Sequence, residues 1–115
     1  METDPHRLSP PPQPSACELC GRPVTELTKH HLIPRAWHHK RAVQKRFDRQ
    51  TMHTRILWVC RPCHNFIHYL KSERELALDY PSREQLLEIP ELREFVDWLS
   101  SKPAGFTPKR LPRKR

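Results

Sequence analysis

No stretch of this chain approaches the roughly 18 consecutive apolar residues that a membrane-spanning helix needs. Its opening, METDPHRLSP, holds no apolar run of the kind a secretory leader requires. Lacking both, the chain is expected in a reducing compartment, the cytoplasm, or the nucleus if the cell is eukaryotic, where cysteines persist as thiols. Apolar residues are scarce as well. They make up 36% of 115 residues, which allows one small core, and cores of that size often need a metal or disulfides to hold them. Acidic residues are nearly missing from the middle: between Lys29 and Arg61, nine Lys or Arg stand against Asp48 alone. Eight acids against three bases follow in 73–97, and 102–115 carries six bases and no acid. The net charge of +8 is therefore concentrated, and its central zone suits a polyanion-binding face.

Proline marks the limits of the folded unit. Residues 1–15 hold five prolines and almost no apolar side chain, and are expected to form a disordered, extended tail. Residues 102–115, with Pro103, Pro108 and Pro112 among bases, are expected to be disordered too, leaving one folded domain over 16–101. Within it, Thr28–Pro34 reads as extended because Pro34 pushes Ile33 away from helix. Ile56-Leu57-Trp58-Val59 reads as a strand from its β-branched and aromatic content. Ala42–Phe47 is expected to form a helical turn, and a helix is expected from His64 to about Lys71. Three more are expected over Ser72–Asp79, Ser82–Ile89 and Pro90–Ser100, with Ser82 and Gln85 as a capping box and Pro90 at a first helical position. Leu92, Phe95, Val96 and Leu99 recur at helical spacing and mark a buried face. The class is small α+β.

What the chain does contain is two CxxC pairs, Cys17/Cys20 and Cys60/Cys63, with 39 residues between them. Two such pairs close a tetrahedral thiolate site in which protein fills every position; such a site is structural, and zinc is the expected ion. A redox dithiol would want a βαβ setting, which this sequence does not offer. The histidines then need a different explanation. His64 and His68 are four apart, on one face of a helix. His30 and His31 are adjacent on an extended segment, where neighbours point apart. One of the two can join His64 and His68 on a metal while the other stays free as a base, the division of labour that hydrolysis requires.

Cys17-Glu-Leu-Cys20, His30-His31-Leu-Ile-Pro34 and Cys60-Arg-Pro-Cys63-His64-Asn65-Phe-Ile-His68, in that order, resemble the HNH endonucleases. The likeness covers 17–68, close to half the chain. It implies a ββα-metal core stapled by a four-cysteine zinc site and followed by short C-terminal helices. It also implies that His30, His64 and His68 hold one catalytic divalent ion, with His31 as general base. The activity implied is hydrolysis of phosphodiesters, DNA above all, with little sequence specificity. Arg35, Lys40, Arg41, Lys45 and Arg46 would contact backbone phosphates.

The chain departs from the family pattern twice. Many members carry an asparagine shortly before the second CxxC; here the stretch is Thr54-Arg55-Ile56. Many also use Asp where this chain has His30, and three imidazoles favour manganese, nickel or zinc over magnesium. Two other functions fit the composition: a non-catalytic zinc-stapled module that binds nucleic acid, and a zinc-stapled adaptor whose acidic helices bind another protein. No membrane partner is expected, and the sequence leaves the oligomeric state open.

Overall fold

The computed structural model describes residues 10–111. The chain builds strand β1 (Thr28–His31), a 3-10 turn (Arg35–Trp37), helices α1 (Arg41–Gln44) and α2 (Arg49–Thr54), and strand β2 (Ile56–Val59). Helices α3 (Arg61–Leu70), α4 (Glu73–Asp79), α5 (Arg83–Leu86) and α6 (Pro90–Ser100) follow. The architecture is thus small α+β, with a two-stranded antiparallel sheet pairing Thr28 with Val59, Lys29 with Trp58, His30 with Leu57 and His31 with Ile56. Such a hairpin is too small to stand alone in water and needs packing on its faces.

That packing comes from two apolar clusters. The larger one joins the cysteines, Leu32, Leu57, Val59, Phe66 and Ile67 to Leu92, Phe95, Val96 and Leu99 of α6. The expected buried face of α6 therefore lies against α3, with the Phe66 and Phe95 rings stacked at 4.2 Å. The smaller cluster, Ile33, Val43, Met52 and Ala77, ties the basic segment between the strands to α4.

Several boundaries differ from the sequence reading. The helix expected from His64 begins at Arg61, because Pro62 sits in the first turn, where its missing N–H is not needed. Cys63 is thereby carried into the helix. The helix expected over Ser82–Ile89 is shorter, Arg83–Leu86. α2 was not expected at all: Asp48 caps it by accepting from the Thr51 N–H at 2.7 Å, and only Met52 of its side chains is buried, so little apolar periodicity betrays it.

Order also reaches into both expected tails. The Trp58 Nε1–H donates to the Pro11 carbonyl at 3.0 Å, and Gln13 donates to the Thr25 carbonyl at 2.9 Å. At the other end Phe106 packs on the larger cluster, its ring 5.6 Å from that of Trp98. A single aromatic and a few backbone acceptors are enough to dock a segment whose average composition reads as disordered. The rest of the two expected tails, 1–9 and 112–115, lies outside the described residues. Among the described residues no helix is long and apolar enough to cross a membrane.

Gly21 closes the first cysteine turn, with φ +78° and its N–H donating to the Cys17 carbonyl at 2.9 Å. An added Cβ would meet nothing within 4 Å, so the whole penalty of Gly21→Ala is conformational. That substitution should lower stability by about 1–2 kcal/mol in a urea titration of the metal-loaded protein. A loss below the error of the titration would mean that the turn relaxes.

Candidate metal centres

Cys17 and Cys20 lie on the turn before β1, Cys60 ends β2 as the cap of α3, and Cys63 is in the first turn of that helix. All four are buried free thiols whose sulfurs lie within 4.8 Å of one another. Zinc–sulfur bonds of about 2.3 Å place tetrahedral sulfurs roughly 3.8 Å apart, and the Cys20 and Cys60 sulfurs are 3.8 Å apart. Backbone donors already converge on one of these sulfurs. The N–H groups of Leu19, Cys20 and Cys60 all donate to Cys17 Sγ, at 3.4, 3.4 and 3.3 Å. Hydrogen bonding to Cys17 drives the Cys20 thiol far below its ordinary range, and hydrogen bonding to Cys17 and Cys20 drives Cys60 and Cys63 above it. Cys17 is lowered as well, so without a cation charge collects on the first pair while Cys60 and Cys63 keep their protons; a divalent ion removes that conflict by holding all four as thiolates. The donor set fits a structural metal such as zinc.

The second cluster is nitrogen. β1 carries His30 inward, and α3 presents His64 and His68 one turn apart. Their rings lie 5.4 Å (His30–His64), 5.3 Å (His30–His68) and 5.0 Å (His64–His68) apart, with the candidate ligand nitrogens within 4.8 Å of one another. His30 is fully buried, and neither ring nitrogen has a hydrogen-bond partner. Buried polar atoms are seldom left so. Burial, then the neighbouring His64 and His68, pushes His30 down to about 3; burial, then His68, pushes His64 down to about 4. Both are neutral imidazoles at neutral pH, the form that ligates metal.

The tautomer of His64 follows from a short relay. Thr28 Oγ1 has one proton and gives it to the Val59 carbonyl at 2.9 Å, so it accepts from His64 Nδ1–H at 2.8 Å. Nε2 of His64 is then the lone-pair nitrogen, oriented from behind as outer partners of ligating histidines usually are. Thr28 was not singled out in the sequence, although alternation along β1 puts it on the face of His30.

His31 lines a different space. It opens, with Lys29, Pro34, Arg35, Ala36, His64, His68 and Glu73, onto a cleft of about 230 Å³. Burial, followed by the charge of Arg35, lowers its pKa, so it too is neutral at pH 7 and able to take a proton. Two of the three metal-site imidazoles and the candidate base therefore share one cationic cleft, with His30 behind it. Lys29 and Glu73 were missed in the sequence. Burial lowers the pKa of His68, and Glu73, in the first turn of α4, partly opposes it.

The other expected residues divide. Arg35 is in the cleft, whereas exposed Lys40, Arg41, Lys45 and Arg46 do not line it. Lys40 lies over the Trp37 ring at 5.3 Å, and Arg46 donates to the Leu78 carbonyl at 2.8 Å. In the stretch Thr54-Arg55-Ile56, which holds no asparagine, the Arg55 side chain lies over Phe47 and reaches the Pro81 carbonyl at 3.4 Å. Asn65 does not stand in for it: it faces another cavity, with Pro62 and residues 107–111.

Among curated proteins the chain is similar to the uncharacterized protein YisB of Bacillus subtilis (strain 168). The two are 38% identical over 87 residues, 76% of this chain and 75% of YisB. No family model matches the chain, and no solved structure matches it.

Proposed function

This chain belongs to the same family as YisB, and from its two clusters we propose that it is a metal-dependent endonuclease of the HNH type. It hydrolyses phosphodiester bonds of DNA with little dependence on sequence. The observation that carries this reading is the convergence of His30, His64 and His68 beside a cleft that also holds His31. In it, β1, β2 and α3 form the ββα-metal core, and the four cysteines are its structural staple.

A divalent ion held by His30, His64 and His68 would supply charge stabilisation at the scissile phosphate. The remaining chemistry belongs to the chain. His31 takes a proton from water as its oxygen attacks phosphorus and the bond to the 3′ oxygen breaks. Arg35 and Lys29, on the cleft wall, neutralise the flanking phosphates. Lys40, Arg41, Lys45 and Arg46 extend the contact along the backbone outside the cleft. Among the described residues no helix is studded with the Arg, Asn and Gln of a recognition helix, so in this reading affinity comes from the phosphates and not from base edges.

The test is cleavage of supercoiled plasmid in a series of divalent metals, beside His31→Ala. Wild type should nick with manganese, nickel or zinc and poorly with magnesium, since three imidazoles suit softer ions. His31→Ala should lose about 10²–10⁴-fold in rate while keeping its zinc and its DNA binding. The rival reading, a zinc-stapled nucleic-acid-binding module without catalysis, draws on the missing asparagine. Equal behaviour of wild type and variant would establish it instead.

A further inference from the structure

Arg22 is 3% exposed, the only arginine among the described residues to be buried. Burying a guanidinium is costly unless each donor finds an acceptor, preferably an anion. Its donors divide between two parts of the molecule. Nε donates to Cys20 Sγ at 3.4 Å and Nη2 to Cys60 Sγ at 3.6 Å. Nη1 donates to the carbonyls of Pro103 and Phe106, at 2.8 and 2.9 Å. Those carbonyls belong to one turn, closed by the Phe106 N–H on Pro103 O at 2.9 Å, and Phe106 then packs on the core beside Trp98.

We propose that Arg22 is the positioning residue of the four-cysteine centre and couples that centre to the C-terminal segment 103–106. This rests on the reading that the cysteines hold a metal. One sulfur from each CxxC pair meets the same rigid fork, so the guanidinium fixes the two halves of the site relative to each other. Donation from a cation to a metal-bound thiolate withdraws charge from the sulfur and makes it a poorer target for protons, and the guanidinium holds the sulfurs in place against a chelator competing for the ion. Lysine, a point charge without the fork, cannot bridge two sulfurs and two carbonyls at once. The coupling runs in both directions. An intact thiolate centre keeps Arg22 buried and the turn docked, and a docked turn keeps Arg22 on the sulfurs. Lys109 and Arg110 follow this turn after Thr107 and Pro108, so the root of the basic C-terminal arm starts close to the centre.

Three full-length variants test this: Arg22→Lys, Arg22→Gln and Phe106→Ala. The readouts are zinc content, the thiolate-to-metal charge-transfer band of the cobalt-substituted protein, zinc transfer to a chromogenic chelator, and hydrogen exchange of 102–107. Wild type should carry one zinc on the cysteines; a wild type without it overturns the reading of the centre itself. In zinc-loaded Arg22→Lys and Arg22→Gln the cobalt band should shift. Zinc transfer and exchange of 102–107 should each quicken by about tenfold or more, the factor expected for losing one charge-assisted hydrogen bond. Amides of α3 should keep their protection. Arg22→Lys should recover part of the transfer rate, because the charge remains, but none of the segment's protection. Phe106→Ala approaches from the other side, leaving centre and arginine intact, and should also quicken zinc transfer. Loaded arginine variants with an unshifted band and unchanged exchange overturn the positioning role. Unchanged zinc transfer in Phe106→Ala overturns the coupling.

Discussion

Stripped of metal by a strong chelator, or carrying Cys60→Ser, the protein should lose its cooperative fold. Cys60 is 1% exposed, ends β2 and caps α3, so it sits where sheet, helix and first cysteine turn meet. The centre joins chain segments about 40 residues apart, and the hairpin it supports has only four residues per strand. Structural zinc contributes on the order of 10–16 kcal/mol in small peptides, against a net stability of about 5–15 kcal/mol for ordinary domains. An apolar core as small as this one cannot absorb such a loss. Tryptophan fluorescence should report the collapse, since Trp58 lies in β2 with its backbone N–H donating to Glu18 Oε2 at 2.8 Å and its indole N–H to the Pro11 carbonyl at 3.0 Å. A chelated protein that still melts cooperatively, within a few degrees of the loaded one, would show that the thiols are merely buried.

His30→Leu should have opposite effects on activity and on stability. With His30 gone the trihistidine site loses its innermost donor, and plasmid cleavage should fall to background in every metal. Yet in protein whose cysteines are loaded and whose histidines are free of metal, the same change should stabilise by about 1–3 kcal/mol. Both ring nitrogens of His30 are buried without partners, and leucine removes that desolvation penalty while filling most of the volume. A urea titration after dialysis against a weak chelator, with zinc content measured, decides the matter. Destabilisation in that state would mean that His30 is satisfied in some other way, and persistent cleavage would remove it from the metal site.

The parts of this molecule legible from sequence are those where a local pattern and its tertiary role coincide. Ile56–Val59 is β-branched and aromatic, and pairs as a strand at those residues. Leu92, Phe95, Val96 and Leu99 are periodic, and all four are buried. The cysteine and histidine clusters were legible because ligand spacing is a short-range property. What escaped was set by single contacts. α2 depends on one aspartate cap, and the docking of 103–106 depends on Phe106 and on one buried arginine 81 positions from Pro103. The break between α3 and α4 at Ser72 was legible, but the direction of the turn that brings Glu73 to the cleft was not. Of the five basic residues expected on nucleic acid, only Arg35 reached the cleft, since charge says that a residue is solvated but not which way its wall faces.

Helix α3 carries Cys63 and His64 side by side, with His68 a turn further on. Successive side chains on a helix diverge by about 100°, so the sulfur centre and the nitrogen centre are two readings of one rotational phase. The cysteines do more than hold parts together: like an index pin in a dial, they set the angle at which the imidazoles come round to His30. A twist of α3 about its own axis would carry Cys63 away from the other three sulfurs by the same angle that it swings His64 and His68 away from His30.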